Sequence, residues 1–161
     1  MLEDILERAV AALYFFLPAY VANTLPGIFG GGMPLDMNRR FIDGRPLLGR
    51  GVTVRGTLTG ITGGTAVGAL QGNVVLGFLL STGALAGDAA GSFLKRRLGL
   101  ERGAPVPLLD QLNFVVGALL LASTVARIPL DYVLVLLVVT PAGHLAVNRL
   151  GYLLKIKDVP W

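Results

Sequence analysis

Apolar runs of membrane-spanning length recur along the whole of this 161-residue chain, each cut off by a short polar segment. No soluble single-core fold has use for so many. Composition agrees: 53% of residues are hydrophobic, 15% are charged, and the mean hydropathy is +0.68, values too apolar for an ordinary soluble domain. At roughly 20 residues per crossing there is room for one all-α bundle of about five transmembrane helices and for no second domain. Cysteine is absent, which excludes disulfides and thiolate metal sites.

The first run, about residues 5–23, starts after Glu3-Asp4, acids suited to a helix N-terminus, and is expected to stop at Thr24-Leu25-Pro26-Gly27. It lacks the basic n-region and cleavage site of a signal peptide and reads as a retained span. Residues 26–56 are rich in glycine, proline and arginine and read as a long polar loop. Within it, Gly30-Gly31-Gly32 reads as a flexible stretch and Met33-Pro34-Leu35 as loop hydrophobes. Residues 57–93 are too long for one crossing, and Gln71-Gly72-Asn73 divides them into spans at 57–71 and 73–93. Glycines at 56, 60, 64, 68 and 72 let another helix approach the first of these closely. A basic loop over 94–107 leads to spans at 108–127 and 131–154, with Ile128-Pro129 as the break and Asp131 as a cap. The polar tail ends in Trp161, an interfacial residue type.

Five spans put alternate connections on opposite sides, and the basic residues segregate accordingly. Arg39, Arg40, Arg45, Arg50, Arg55, Lys95, Arg96, Arg97, Arg102, Arg149, Lys155 and Lys157 fall on one side, 12 of the 14, with only Arg8 and Arg127 on the other. The positive-inside rule makes the richer side cytoplasmic, so the N-terminus is expected outside, with both loops and the C-terminus inside.

Polar residues gather at the cytoplasmic helix ends. Asp88, Ser92 and Lys95 are spaced to share one helical face, as are Asp110 and Asn113. Asn23 closes the first span, and His144 and Asn148 lie four apart on the fifth. Carboxylates in a membrane segment face a bundle interior, a water-filled cavity or an ion. With bases nearby they suggest a polyphosphate site, the carboxylates holding Mg²⁺ through oxygen and the bases holding phosphate. The plainer alternative is an intramembrane salt bridge from these acids to Lys95 or Arg96. His144 reads either as a helix-to-helix hydrogen bond or as a catalytic or phosphate contact.

Gly87-Asp88, Ser92-Phe93-Leu94-Lys95-Arg96, Pro107 and Asp110-Gln111-Leu112-Asn113 together resemble the signature of membrane CTP:phosphatidate cytidylyltransferases. The short five-span form is similar to the archaeal branch, the CDP-archaeol synthases. Residues 18–23 with Pro26, Asp36, residues 41–44, and Thr53-Val54-Arg55-Gly56 extend the likeness. In that branch the last element reads K-T-W-R-G. Val52 and Val54 replace its lysine and tryptophan, leaving Arg50 as the substitute base, and Asn113 replaces the second acid of D-x-x-D.

The resemblance implies Mg²⁺-dependent transfer of CMP from CTP to the phosphate of an isoprenoid glycerol lipid, with no nucleic acid involved. It implies Asp88, Asp110 and Lys95 as catalytic, Asp88, Asp110 and Asn113 as metal ligands, and Asn23, Arg50, Thr53, Arg55, Ser92, Lys95, Arg96, His144 and Asn148 around the nucleotide. A small polytopic transporter is the competing class. It would show repeated halves and midplane charges, whereas here the charges cluster at one interface. The pattern of CDP-alcohol phosphatidyltransferases, D-G-x-x-A-R with spaced aspartates, is missing.

Overall fold

The computed structural model describes residues 2–101, 104–153 and 155, except the side chains of Val147, Asn148 and Gly151. Arg102, Leu154, Lys157, Trp161 and the Asn148 side chain, all used in the reading above, lie outside the described residues. Five α-helices and no β-strand are found among them: α1 Leu2–Phe29, α2 Val54–Leu70, α3 Val74–Arg97, α4 Leu109–Ala122 and α5 Leu130–Leu153. The all-α class expected from the sequence is the one observed.

Several boundaries differ from expectation for physical reasons. Helix α1 does not stop at residue 23; it continues through Pro26 and Gly27 to Phe29. A proline inside a helix frees the carbonyl four residues earlier, a tolerable loss in a membrane when a neighbour supplies the missing donor or packs over the site. Pro18 frees the Tyr14 carbonyl, and Gln71 Nε2 donates to it at 2.6 Å. Near Pro26, the bare backbone of Gly60 lies against the Ala22 carbonyl. The Pro26 carbonyl then accepts the Gly30 amide at 2.9 Å and α1 ends.

Helix α4 closes at Ala122 rather than near 127. Ser123 Oγ and Thr124 Oγ1 bond back to the carbonyls of Leu120 and Leu121, each at 2.7 Å, and a turn follows. Asp131 does not cap α5 but lies in its first turn, where it accepts from Arg8 at 2.7 Å and ties the beginnings of α1 and α5 together. The first loop is thereby shortened to residues 30–53, and the second begins only after α3 ends at Arg97.

The expected close approach of the glycine helix is present. Gly56, Gly60, Gly64 and Gly68 are all buried. A Cβ on Gly64 would meet Ser81 Oγ and the Pro18 carbonyl, and one on Gly68 would meet the Gly77 backbone. Gly72, the last of the spaced glycines, lies in the turn after α2 with φ +80°, where a side chain would be strained. The same device recurs between α3 and α4, where Gly83 and Gly87 face the backbone of Gly117, Asn113 and Phe114. A core of Phe16, Leu80, Phe114 and Leu136 fills the centre, and Tyr20 shares a 2.6 Å hydrogen bond with Thr140 to join α1 to α5.

Large apolar side chains such as Val10, Leu58, Leu120, Leu134 and Val138 point outward, as lipid exposure requires. Helices α1 and α3 are long and apolar enough to cross a membrane.

The backbone contacts predict unequal tolerance of glycines. Gly77→Ala places a methyl against the Gly68 backbone and should destabilise the protein in detergent by about 1–3 kcal/mol, the usual cost of overpacking. Gly27→Ala, in a helical position with nothing near its Cβ, should be neutral or slightly stabilising. Thermal unfolding of both variants is the check.

Candidate active site

Each polar residue at the loop end of the bundle owes its position to a local rule. Thr53 N-caps α2: its hydroxyl accepts the Gly56 amide at 3.1 Å and, from the loop, the Gly31 amide at 3.3 Å. Helix α3 ends at Leu98–Gly99, where the Gly99 amide bonds to the Arg96 carbonyl and the Leu100 amide to the Lys95 carbonyl. Gly99 takes φ +75° there, the left-handed cap that glycine supplies without strain. This brings the last turn of α3, with Lys95, Arg96 and Arg97, to the same level as the start of α4 with Asp110.

The helix ends enclose a polar cavity of about 420 Å³. Asn23 of α1, Asp88, Ser92, Lys95 and Arg96 of α3, Asp110 and Asn113 of α4, and His144 of α5 line it, and Arg50 and Thr53 close it from the loop side. Of the residues singled out from the sequence, Arg55 stands apart. It is exposed and does not line the cavity. With Thr53 facing inward, Arg55 lies two residues further round the helix and turns away, whereas Thr57, four residues on, returns to the lining.

The two acids have different surroundings. Asp110 forms an ion pair with Lys95, and its other oxygen accepts the Val106 amide at 2.9 Å. Lys95 also donates to the Ala104 carbonyl at 3.0 Å. The salt-bridge alternative thus holds for Asp110, which with Lys95 staples the second loop to α3. Asp88 is close enough to feel both Asp110 and Lys95, yet no hydrogen bond or ion pair to its carboxylate is formed among the described residues. Its oxygens are available to a ligand. The Asn113 amide packs against Gly91, where any Cβ would collide with Nδ2.

The three consecutive bases of α3 separate in role. Lys95 pairs with Asp110, and Arg96 borders the cavity beside Gly49, its buried Nε without a hydrogen-bond partner among the described residues. Arg97 instead lies over both the Phe41 and Phe93 rings, 4.7 and 4.8 Å from their centroids. It donates to Asp43 at 3.0 Å and to the Pro46 carbonyl at 2.5 Å. Arg45 reciprocates by donating to the Arg96 and Arg97 carbonyls at the end of α3. This clamp fixes the first loop over the cavity, and sequence reading missed it because neighbouring arginines look alike without their partners.

Asp36, noted from the sequence only as part of a resemblance, organises the rest of the loop. Its carboxylate accepts the amides of Leu48, Gly49 and Asn38 at 2.8, 2.9 and 3.0 Å, shaping the segment that carries Arg50. Burial works to raise its pKa, but the amides of Gly49, Leu48 and Asn38 outweigh it and hold the carboxyl below its ordinary value.

A membrane-type helical bundle whose charged cavity offers an available carboxylate, a paired one and fixed bases has the build of an intramembrane enzyme acting on phosphate groups. Comparison with known proteins narrows the class. The CarS-like CDP-archaeol synthase family pattern matches residues 2–75 and 72–161. The chain is 49% identical over 170 residues to the CDP-archaeol synthase of Methanocaldococcus jannaschii, covering 94% of this chain and 96% of that one. It is 54% identical over 158 residues to the CDP-archaeol synthase of Methanopyrus kandleri, covering 92% and 91%. A solved structure, described as an intramembrane enzyme for archaeal membrane lipids biosynthesis, superposes with a TM-score of 0.75 at 41% identity, over 86% of this chain and 93% of that one. The chain belongs to the CDP-archaeol synthase family and is a membrane-embedded cytidylyltransferase.

The Asp36 contacts give a pH prediction for the loop. A carboxyl whose folded pKa lies below its unfolded value of about 3.9 stabilises the loop fully above that value and loses the contribution as pH falls through the folded pKa. Protection of the Leu48 and Gly49 amides, their exchange measured against the intrinsic rate at each pH, should therefore be high at neutral pH and fall on acidification below about pH 4. Asp36→Asn should show the reduced protection already at neutral pH.

Proposed function

We propose that the protein transfers CMP from CTP to the phosphate of 2,3-di-O-geranylgeranylglycerol 1-phosphate, yielding CDP-archaeol and pyrophosphate in archaeal membrane lipid synthesis. The observation that carries this reading is the cavity itself, where Arg50, Lys95 and Arg96 line the same space as Asp88 and Asp110. In the reaction an oxygen of the lipid phosphate forms a bond to the α-phosphorus of CTP. The bond from that phosphorus to the bridging oxygen of the β-phosphate breaks, and pyrophosphate leaves with the electron pair. The nucleophile is already an anion at neutral pH, so no side-chain base has to remove a proton. The demand is to bring two anions together.

Arg50 and Arg96 hold the triphosphate and stabilise the departing pyrophosphate, acting as positive charge at the cavity lining. Lys95 serves both the Asp110 pair and the incoming phosphates. Ser92, Asn23 and His144 supply further polar contacts along the lining. Thr53 acts chiefly as the cap that orients the loop, its hydroxyl already accepting two amides.

The donor set fits a magnesium ion: two carboxylates and one amide oxygen are hard oxygen ligands, and Mg²⁺ is commonly held by one or two carboxylates, with substrate phosphates and water completing the shell. No cluster of three or more acidic or histidine ligands exists among the described residues, so a metal here depends on the substrate for the rest of its coordination. Asp88, Asp110 and Asn113 would hold it. When bound, it supplies charge screening and polarisation at the phosphates. The abundance of bases at the cavity end supports a cytoplasmic placement of the site, with the N-terminus outside.

Pyrophosphate release by purified protein should require the lipid phosphate, CTP and Mg²⁺ together, with ATP, GTP and UTP ineffective and EDTA inhibitory. Release from ATP or GTP equal to that from CTP would remove the cytidylyl reading, and activity unaffected by EDTA would remove the metal. Asp88→Ala should abolish turnover while the detergent-solubilised protein keeps its thermal stability.

The arginines should separate by geometry. Arg50→Ala should raise the KM for CTP on the order of tenfold, the loss expected for a charge-assisted hydrogen bond to phosphate. Arg55→Ala should leave it within about twofold, as for a charge outside the cavity. Steady-state kinetics with varied CTP test the order, and the reverse order would sink the assignment.

A further inference from the structure

Residues 39–47 of the first loop form a small hairpin outside the lining of the charged cavity. The Phe41 amide donates to the Arg45 carbonyl at 2.8 Å, the Gly44 amide to the Phe41 carbonyl at 2.9 Å, and the Leu47 amide to the Arg39 carbonyl at 2.9 Å. Gly44 closes the turn at φ +75°, the left-handed position of a short hairpin loop. Exposed turns are ordinarily polar, yet Ile42 stands at this tip and is 94% exposed. Arg39 and Arg40 precede it, both exposed, and neither forms an ion pair among the described residues. The loop's two acids are committed elsewhere, Asp36 to three backbone amides and Asp43 to Arg97.

The hairpin is fastened to one flank of α3. Phe41 packs edge-on against Phe93 with ring centroids 5.3 Å apart, and Arg97 holds Asp43 at 3.0 Å. Phe93 and Arg97 each adjoin an exposed leucine, Leu94 and Leu98, and Leu94 borders an apolar groove between α3 and α4. The 24 residues of α3 measure about 36 Å at 1.5 Å per residue, longer than the roughly 30 Å of a bilayer core. A centred α3 therefore carries its last turn into the headgroup layer. At that depth an aliphatic tip meets acyl chains and a guanidinium meets lipid phosphate.

We propose that this hairpin docks on anionic lipid headgroups at the bilayer surface, with Ile42 entering the acyl boundary and Arg39 and Arg40 on lipid phosphates, and that docking steadies the loop that carries Arg50. Charge complementarity and continuity with the apolar flank of α3 select the lipid surface over a soluble partner. The link to Arg50 is short: the hairpin ends at Leu47, and the Asp36 carboxylate holds the next two residues, Leu48 and Gly49, by their amides. This contact goes beyond the reaction proposed above and does not depend on it. If Arg39 and Arg40 served membrane topology alone, the position of Ile42 would be indifferent to lipid charge.

Ile42→Trp combined with Trp161→Phe places a single tryptophan at the tip, because Trp161 is the chain's one tryptophan. The hairpin positions substituted are exposed, so the fold should survive the changes. In nanodiscs of phosphatidylglycerol and phosphatidylcholine in equal parts, the tip fluorescence should shift to the blue and be quenched by lipid brominated on its acyl chains. In pure phosphatidylcholine both effects should weaken. Arg39→Ala and Arg40→Ala should each lower the ratio of inserted to free tip in the anionic nanodiscs about fivefold, the worth of one basic residue at such a surface. Leu134→Trp in the same background, at an exposed position of α5, is the control and should be quenched equally in both lipids. Protection of the Leu48 and Gly49 amides against hydrogen exchange should be about fivefold or more higher in the anionic nanodiscs than in the neutral ones, and the double variant Arg39→Ala, Arg40→Ala should abolish the difference.

A tip tryptophan unquenched in both lipids, as a tip reserved for a soluble partner would be, overturns the docking. Equal quenching in the two lipids does the same, and so does quenching that survives loss of both arginines. Loop protection that ignores lipid charge overturns the steadying of the segment that carries Arg50.

Discussion

Contact between bare helix backbones is the constraint on which the rest of this structure depends. Gly87 of α3 packs against the backbone of Asn113 and Phe114 in α4, and that single meeting fixes the register of the two helices that carry the acids. Asp88 follows Gly87 directly, and Asp110 precedes Asn113 by about one turn, so a register set by glycine brings the two carboxylates to one level. A side chain at Gly87 would push the helices apart and slide the acids out of reach of each other. Gly64, Gly68 and Gly77 do the same between α2 and α3, which determines where Thr53 and the loop it anchors come to rest. In lipid, where burying apolar surface gives helices little reason to associate, close van der Waals approach of this kind is the available attraction.

Given that register, the charges divide between holding the site and serving it. Taking a carboxylate out of water is costly, and breaking a buried pair leaves the surviving charge uncompensated. Asp110 is compensated by Lys95 and by the Val106 amide; Asp88 is left as the carboxylate with capacity to spare. Among the bases, Arg45 and Arg97 bind loop to helix through carbonyls, Asp43 and two phenylalanine rings. The loop backbone at Arg50 and the last turn of α3 with Arg96 are thereby set beside the cavity. Fixing the segments that carry the cations leaves only their side chains to be ordered on binding.

The four-residue spacings carried most of the site. Asp88, Ser92 and Lys95 were legible as one face, and that face lines the cavity; so do Asp110, Asn113, Asn23 and His144. The asymmetry of basic residues and the glycine repeat were equally plain in one dimension. What sequence could not carry was helix phase at a boundary and partnership across the fold. Arg55 was grouped with Thr53 because both belong to one short element, yet two residues of helix turn a side chain to the opposite face. Helix α1 passes Pro18 because a glutamine 53 residues further along donates to the carbonyl that the proline leaves. No local rule announces such a donor. Asp36 and Arg97 likewise declare their roles only once Leu48, Gly49 and Asp43 are beside them.

Helix α3 shows how one element can serve two solvents. Residues 88, 92 and 95 point into the charged cavity, while 86, 90 and 94 point to the apolar groove on its other flank. A soluble amphipathic helix sets core against water; this one sets a charged cavity against an apolar flank. Asn113 of α4 lines both, so the two surfaces meet at its height. Helix α4 is also short: its 14 residues span about 21 Å, less than the roughly 30 Å of a bilayer core, so the end that carries Asp110 can lie below the membrane surface.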